Sequence, residues 1–577
     1  MADLEIPGGA TLSPLLPTDV FPVARPGVAV AYKATVEEVN AFVTGGIFNA
    51  KHFGATGDGV TDDTTSVRLA MAAAEVSGGI AYLPRGTYKI STDLEFLNVD
   101  NVTLCGDGIG KTIIDSSATV APPKVNFNPA PATSWGVITV ASTLGVYGNG
   151  TPINNITLRD FTLKVSTDDT TPAGCKPIFV GCTVNCTIQR VQVIGGTWEA
   201  IYHEDNYGGK SKNWRVLDCE VYGHKSTGIN NNDPYLDGFD VLMNYVHDGV
   251  STYQSNGVYM VGAKGRILGN TIRDVGGFGV FAKNEGAVTE IQDVIIANNI
   301  IHGVGSTASA AAWERSGIQT KTLKGYADGG VLVVNNIISD ITESPGITTV
   351  ALLLYGDVVA TGNIIRGCVG TNDVAEAIHI FATGGTGNPT RTRIEHNHIE
   401  AVGVNNRFRR GIVIENSADN LVVVRDNYVD ELSIDAYLDS GFAYLDLGGH
   451  AIMENNVFNG HIIIGTLDCG DPAAYIDKSL STSDLIFTFT PDDATPSVDG
   501  RKKFKTANVN PTTITMFHDG FPGQEIWVWI NDALTTIDFT GTNLEGNGGA
   551  DWSPAAGDTL RAVFDGANWH CAVSDET

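Results

Sequence analysis

The sequence has little charge, little cysteine and no long apolar run. Charged residues make up 18% of the 577 residues, and 65 acidic against 36 basic side chains give a formal net charge of −29. An acidic surface repels phosphate backbones, so we expect no nucleic-acid partner. Eight cysteines do not form a disulfide framework. No apolar run reaches the length of about 18 residues that a membrane span needs, and the start lacks the features of a secretory signal peptide.

The most prominent feature of the sequence is an internal repeat. From about residue 150 to 465, an apolar pair, a polar residue that is usually Asn, and a further apolar residue recur every 25 to 37 residues, as in ILGNTI (267–272) and VVNNII (333–338). Helical repeats of this length would need continuous 3.6-residue periodicity, which is missing. The aligned asparagines are Asn244, Asn270, Asn299, Asn336, Asn363, Asn397, Asn427 and Asn456. Three earlier copies place Phe161, Val191 and Cys219 at the same position.

A column of aligned asparagines is typical of a parallel β-helix. Stacked strands lie about 4.8 Å apart, and asparagine tolerates the left-handed backbone of a tight bend. Its amide can also bond to the asparagine of the next coil and so form an internal ladder. Eleven coils at that spacing would make a rod of roughly 50 Å. We interpret the aligned asparagines as ladder residues and not as ligands.

Both ends of the repeat have a different composition. Residues 1–47 are rich in proline, and Thr35–Val43 is predicted to be a short helix with Thr35 and Glu38 as a capping box. Residues 48–92 hold a second predicted helix, which would cover the open end of the β-helix. Asp62, Asp63 or Thr64 can cap it, and its apolar face consists of Val67, Ala70, Met71 and Ala74.

The repeat stops near Ile464, and residues 469–577 are predicted to form a separate, small β-sandwich domain. IWVWI (526–530) alternates strictly, with isoleucine and valine on one face and Trp527 and Trp529 on the other. Such a strand is typical of a sheet whose two faces are both covered, the second by a partner sheet or by a neighbouring subunit.

Particular segments carry a resemblance to a known family. FGATGDGVTDDTTSVRLAMAAA (53–74) with GGIAYLPRGTYKI (78–90) resembles the opening of pectate-lyase-like right-handed β-helix proteins, bacteriophage tailspikes above all. GVAVAYKATVEEVNAF (27–42) resembles the virion-attachment start of phage tail proteins, and residues 512–574 resemble a small domain that closes trimeric tailspikes. The resemblance implies a homotrimer on the phage tail, attached through residues 1–47, with residues 93–468 as the β-helix.

We expect function to lie on the outer side of one strand column and in the loops beside it. When each strand is aligned by its inward apolar residue, the residue that follows is predicted to point outward. The residue before the inward one is mostly glycine or alanine, so the outward side chains are expected to line a shallow trough. Such a trough suits sugar rings and hydroxyls. The column reads Tyr202, Asn230, Tyr259, Phe281, Gln319, Leu353, His379, Val413 and Tyr444. The predicted substrate-binding residues are Trp198, Tyr202, His203, Asn230, Tyr259, Lys283, Gln319, Lys321 and His379.

Glycoside hydrolysis needs two carboxyl groups about 5 to 9.5 Å apart, a distance that one or two coils provide. The densest acidic segments are WEAIYHEDN (198–206) and NNNDPYLDGFD (230–240) on adjacent coils. The predicted pair is Glu204 or Asp205 with Asp233 or Asp237. Asp233 before Pro234 and Asp237 before a glycine are equally typical of turns. No metal site and no cofactor is predicted.

Other functions remain open at this point. A polysaccharide lyase would use a base and a group that neutralises a uronate, drawn from Lys283, Lys321, Tyr259, Tyr202, His203 and His379. The net charge of −29 argues mildly against a strongly anionic polymer. A receptor-binding protein without cleavage and a cellular glycan-degrading enzyme are further alternatives. The favoured hypothesis is a phage tailspike that hydrolyses a host surface polysaccharide, outside the cell and without inserting into a membrane.

Overall fold

The computed structural model describes most of the chain. The described residues are 20–23, 32–35, 46–117, 135–142, 151–166, 175–204, 211–250, 255–283, 293–305, 315–321, 330–342, 349–369, 375–382, 391–400, 410–416, 421–429, 443–447, 450–458, 486–498 and 502–574. The chain divides into two compact units, the first comprising 1–423, 427–449 and 458–468, and the second 424–426, 450–457 and 469–577. No described helix is long and apolar enough to cross a membrane.

The first unit is a right-handed parallel β-helix; the repeat predicts the parallel β-helix and the resemblance its handedness. One of its sheets, which we call the trough sheet, stacks one strand from each coil in parallel, with the inward residues in register, as in Ile178 beside Ile201 beside Ile229. Its strands are Leu94–Leu97, Trp135–Ala141, Cys175–Gly181, Ile201–His203, Thr227–Asn231, Asn256–Val261, Phe278–Lys283, Arg315–Lys321, Thr349–Tyr355, Ala375–Ala382, Arg410–Asn416 and Ala443–Leu447.

The remaining strands of each coil form a larger parallel sheet, which we call the ladder sheet. Most coils contribute two strands to it, separated by the bend that holds the aligned asparagine. Its strands are Ile47–Asn49, Asp58–Asp62, Ile80–Leu83, Gly86–Lys89, Thr103–Gly106, Thr112–Asp115, Ile153–Asn154, Thr157–Lys164, Thr183–Val184, Thr187–Ile194, Lys212–Leu217, Glu220–Tyr222, Asp237–Leu242, Tyr245–His247, Ala263–Leu268, Thr271–Arg273, Val294–Ala297, Ile300–His302, Val331–Val334, Ile337–Thr342, Val358–Thr361, Ile364–Val369, Arg391–Glu395, His398–Glu400, Leu421–Arg425 and Tyr428–Val429. Two more strands, His450–Glu454 and Val457–Phe458, follow along the chain.

The asparagine ladder is present in the core. From Asn244 to Asn397, each side-chain amide donates to the side-chain oxygen of the next aligned asparagine at 2.9 to 3.0 Å, ending on Asn427. Each amide also donates to a backbone carbonyl, as Asn299 does to Ile267 at 2.9 Å. All these side chains are buried. The prediction that they are structural is confirmed.

The predicted capping helix is also confirmed. It spans Thr64–Ser77, buries Val67, Ala70, Met71 and Ala74, and ends at Gly78 with a φ of 66°. It follows a short 3-10 helix, Ala50–Phe53, and it contacts the strands of the first coils, Ile47–Asn49, Ile80–Leu83 and Leu94–Leu97. Its N-cap residue, Asp63, is turned to the preceding loop, where it accepts hydrogen bonds from the backbone of Thr56 and Gly57.

The N-terminal segment is described only in part. Val20–Val23 pairs antiparallel with Tyr32–Thr35. The helix predicted for Thr35–Val43 lies outside the described residues beyond Thr35, which ends a strand.

The second unit contains a six-stranded and a two-stranded sheet around one apolar core. The six strands are Phe487–Thr488, Lys503–Lys505, Glu525–Trp529, Leu544–Glu545, Thr559–Phe564 and Trp569–Ser574, the other two are Thr512–Ile514 and Thr535–Ile537, and Asn547–Gly549 is a 3-10 helix. The IWVWI strand runs antiparallel to Thr559–Phe564 and parallel to Lys503–Lys505. Its isoleucine and valine side chains are buried, whereas Trp527 stays 39% exposed, so in the described chain only one face is fully covered.

The ladder predicts a large difference between buried and exposed asparagines. Asn299→Ala removes the hydrogen bonds to Ile267 and Asn336, and the buried amide of Asn270 loses its acceptor on Asn299. We therefore expect a loss of about 3 kcal/mol in the free energy of unfolding. Asn185→Gly is the control, because Asn185 bonds to Asn155 on the exposed surface and glycine tolerates its φ of 58°. The control should cost about 1 kcal/mol. Chemical denaturation followed by circular dichroism measures both, and equal losses would contradict a structural role for the internal ladder.

Candidate active site

The strand register confirms the predicted alignment of the column. Tyr202 pairs with Asn230, Asn230 with Tyr259, and Tyr259 with Phe281. The register continues through Gln319, Leu353, His379, Val413 and Tyr444. One inward residue per coil fixes the whole set, because successive side chains of a strand point to opposite faces. Much of this column is buried, including Tyr202, Asn230, Phe281, Gln319 and His379, while Trp198 beside it is 42% exposed.

A cluster of ionisable groups lies at the start of the column. Lys176 precedes Glu199 by one coil, and its Nζ lies 3.9 Å from Glu199 Oε2 and 3.6 Å from the ring centroid of Tyr202. The hydroxyl of Tyr202 hydrogen-bonds to Glu204 and to Asn232. Phe179 packs against Tyr202 at 5.9 Å between ring centroids. We call Lys176, Glu199, Tyr202 and Glu204 the Glu199 cluster.

Burial controls the protonation of this cluster. The Glu199 side chain is 10% exposed, and this burial raises its pKa to about 7, with Lys176 opposing the rise and Glu204 adding to it. Within the described part of the chain, Glu199 Oε2 accepts no hydrogen bond. Burial, and then the charges of Glu204 and Glu199, hold the pKa of Tyr202 well above 10, so it remains a phenol. The cluster therefore offers a carboxyl that can hold a proton near neutral pH.

The other predicted catalytic carboxylates lie elsewhere. Asp233 is buried and accepts a hydrogen bond from the backbone of Tyr235 at 2.8 Å, which is the geometry of an Asx turn. Asp237 begins a strand of the ladder sheet, and its carboxylate pairs with Lys264 at 3.0 Å. Asp205 lies outside the described residues. The structure thus brings Glu204 together with Glu199, and does not bring Asp237 onto the trough sheet.

The predicted binding residues are also placed at different depths. His203 is fully buried, bonds to Asn231 at 2.6 Å and packs on Trp214, and burial lowers its pKa to about 4. It therefore lies in the core rather than on the trough. His379 bonds to Glu376 at 2.5 Å, and both side chains are buried.

Two and three coils beyond Tyr202, the column is aromatic and cationic. The rings of Tyr259 and Phe281 meet edge to face at 5.3 Å, and Lys283 Nζ lies 5.3 Å from the Tyr259 ring centroid. Gln319 is buried, with its side-chain oxygen 3.4 Å from the hydroxyl of Ser316. Lys321 follows Lys283 in the strand register.

Sequence reasoning missed Lys176 and Glu199. Both stand two residues before an inward residue, Ile178 and Ile201, at a position that alternation assigns to the interior. A lysine and a glutamate at the same interior position of neighbouring coils are a signal that the sequence contains, because a buried charge needs a partner. In the parts of the chain that the structure describes, no group of three or more His, Cys, Asp or Glu side chains is arranged to hold a metal ion.

Two family models match the β-helix part of the chain. The model described as rhamnogalacturonase A/epimerase, pectate lyase-like, matches residues 47–235, and the one described as right handed beta helix region matches residues 256–458. The first match includes the whole Glu199 cluster.

Curated relatives come from Azotobacter vinelandii. Mannuronan C5-epimerase AlgE4 is 33% identical over 158 residues, which cover 25% of this chain and 26% of the relative. Alginate lyase 7 is 42% identical over 73 residues, 12% of this chain and 8% of the relative. The chain thus spans about a quarter or less of the length of these relatives.

Solved structures show lower identity. The A-module of mannuronan C-5 epimerase AlgE6 from Azotobacter vinelandii is 21% identical, with a TM-score of 0.40, and the match covers 71% of this chain and 98% of the module. An N-terminal fragment of gene product 12 of bacteriophage Phi29 is 16% identical, with a TM-score of 0.44, over 71% of this chain and 70% of the fragment. Together with the strand register, the two family-model matches show a right-handed parallel β-helix, whose residues 47–235 are similar to a pectate lyase-like family model.

Proposed function

We propose that the trough binds a polysaccharide and that the Glu199 cluster hydrolyses one of its glycosidic bonds. The observation that carries this proposal is the buried carboxyl of Glu199, whose pKa is raised to about 7, beside a second carboxylate, Glu204. Hydrolysis requires one carboxyl that donates a proton and one that is ionised. Enzymes obtain this difference by giving two carboxyl groups different environments.

The two carboxyl groups would have separate roles. Glu199 is the general acid that protonates the leaving oxygen of the glycosidic bond. Glu204 is the base or nucleophile on the other side of that bond, and the phenol of Tyr202 donates a hydrogen bond that orients it. Lys176 lies 3.9 Å from Glu199 and stabilises the carboxylate that forms when Glu199 has given up its proton.

The matches support a polysaccharide as the substrate class. The family model over residues 47–235 is described as a rhamnogalacturonase and epimerase model, and the curated relatives are named for mannuronan and alginate. All three names refer to polymers that contain uronic acids. Trp198, which is 42% exposed beside the column, and the half-buried Tyr259 offer ring faces for sugar stacking.

Elimination at a uronate is the second candidate reaction. The alginate lyase among the curated relatives and the lysine beside Glu199 favour it. A lyase needs a group that neutralises the uronate carboxylate, which Lys176 could supply, and a base that removes the proton next to that carboxylate. Tyr202 is a weak candidate for this base, because its pKa lies well above 10.

The biological setting is a further part of the proposal. We propose a homotrimeric phage tailspike, anchored to tail or baseplate proteins through residues 1–47, that acts on a host surface polysaccharide. Its support is the resemblance of residues 53–90 and 512–574 to tailspike segments.

Hydrolysis and elimination predict different products. With purified host surface polysaccharide, we expect reducing ends to appear without a rise in absorbance near 235 nm, because only elimination creates the unsaturated uronate that absorbs there. A parallel rise of both signals would instead establish the lyase. Binding without either signal would leave a receptor-binding protein and contradict both enzymatic reactions for that glycan.

Removal of Glu204 should disable the reaction. We expect Glu204→Gln to lower kcat by about 10²- to 10⁴-fold, since the amide cannot act as a base. Glu220→Gln is the matched control, because Glu220 lies on the ladder sheet and bonds to Gln192 at 2.6 Å. The measurement is the release of reducing ends under saturating substrate. Equal rates for Glu204→Gln and the control would move the active site away from the Glu199 cluster.

The pH profile should report the proton on Glu199. Because the acid must be protonated, kcat/KM should fall as the pH rises through about 7. This fall is the alkaline limb of the pH profile. Glu199→Gln should remove most of the activity, and the remaining activity should lack the alkaline limb. Lys176→Met removes the cation that lowers the pKa of Glu199, so the limb should move to higher pH.

Lys164→Met serves as the control for charge removal, because Lys164 pairs with Asp115 on the ladder sheet at 3.6 Å. Its alkaline limb should coincide with that of the unaltered chain. An alkaline limb that stays in place in Lys176→Met would show that Glu199 is not the titrating acid.

A further inference from the structure

The second unit presents a pair of tryptophans on the outer side of its six-stranded sheet. Trp527 is 39% exposed, whereas Ile526 and Val528 on the opposite side of the same strand are fully buried. The ring centroids of Trp527 and Trp529 lie 6.5 Å apart, with 28° between the ring planes. Large exposed aromatic surfaces are uncommon on soluble proteins and mark interaction sites. The two nearly parallel rings, which we call the platform, lie in the interior of the sheet, with a strand on either side.

Cations gather around this platform. Lys503 pairs in register with Trp527 and Lys505 with Trp529 on one side, and Arg561 pairs with Trp527 on the other. Within 486–498 and 502–574, only Lys502 adds to these three Lys and Arg residues. The acidic residues of the same segments are Asp492, Asp493, Asp519, Glu525, Asp532, Asp538, Glu545, Asp551, Asp558 and Asp565. An acidic unit therefore concentrates its positive charge on one face.

The platform is fixed by hydrogen bonds. Glu525 Oε1 accepts from the indole Nε1 of Trp527 at 3.2 Å and from Arg561 Nε at 2.6 Å. The guanidinium of Arg561 lies 5.7 Å from the Trp527 ring centroid. One carboxylate thus holds both the ring and the cation in place, which lowers the entropy lost when a ligand binds. We call Lys503, Lys505, Trp527, Trp529 and Arg561 the Trp527 face.

We propose that the Trp527 face is a second polysaccharide site, separate from the trough, and that it takes a polymer carrying carboxylate groups. Sugar rings stack on the two indoles, and their carboxylates meet the lysines and the arginine. The charge distribution favours this occupant, since a neutral glycan would use the rings but gain nothing from three cations. A second copy of the chain is the other occupant to be tested. The inference stands on the second unit alone and does not depend on catalysis in the trough.

The test uses the full chain with Glu204→Gln, so that the proposed cleavage does not consume the probe. Polygalacturonate is the probe and dextran the neutral comparison, with dissociation constants from isothermal titration calorimetry. We expect Trp527→Ala to weaken the binding of polygalacturonate about tenfold. The double variant Lys503→Ala, Lys505→Ala should weaken it to a similar degree and leave dextran unaffected. Trp527→Phe, which keeps a ring, should retain most of the affinity.

Controls separate this site from folding, from the trough and from self-association. Val509→Ala changes a side chain of the same unit that is 70% exposed and lies outside the strands, and it should bind like its parent. Equal melting temperatures of Trp527→Ala and its parent establish folding. Unchanged polygalacturonate binding in Trp527→Ala, with binding lost in Trp198→Ala, would assign all binding to the trough and overturn the inference. Unchanged binding together with a smaller mass in light scattering would make the face a subunit contact, which would overturn it as well.

Discussion

The stacking of coils in strict register is the constraint on which the rest of this structure depends. Strands about 4.8 Å apart pair along their whole length only if every coil presents the same backbone at the same place. The ladder from Asn244 to Asn427 enforces this condition in the core, because each amide must meet both a carbonyl and the next asparagine. A shifted coil would leave these groups buried without partners, at a cost of about 1–3 kcal/mol each. Side chains at equivalent positions are therefore arranged in columns, one per coil.

This constraint explains what could be predicted from the sequence. The register of the outward column from Tyr202 to Tyr444 followed from one inward apolar residue per coil, because alternation leaves no other choice for its neighbours. Depth could not be predicted in the same way, since it depends on what the loops and neighbouring coils place over each side chain. Phe179 and Lys176 cover Tyr202 from the preceding coil. Glu199 lies near the predicted Glu204 in sequence, but alternation assigns its position to the interior, where an ionisable side chain is not expected.

Burial changes the pKa values of Glu199 and His203, which lie four residues apart, in opposite directions. It raises the pKa of Glu199 to about 7 and lowers that of His203 to about 4, because in each case it disfavours the charged form. Near neutral pH the histidine is uncharged and serves the core through its bond to Asn231. The carboxyl becomes a group that can gain or lose a proton. His203, a residue type that is associated with acid–base chemistry, is thus structural. Glu199, at a position that alternation assigns to the interior, is the group that can titrate near neutral pH.

The distribution of charges on the chain affects which ligands can bind more than the net charge of −29 does. Charges separated by more than about 8 Å are largely screened at physiological ionic strength, so a polyanion responds to the groups that it touches. Several cations of this chain lie over aromatic rings, Lys176 over Tyr202, Lys283 over Tyr259 and Arg561 over Trp527. A ring attracts a cation through its quadrupole without cancelling its charge. At Tyr202 the ring and its cation are both buried, whereas Trp527 is exposed, so of these two pairs only Trp527 with Arg561 places a positive charge beside an exposed ring.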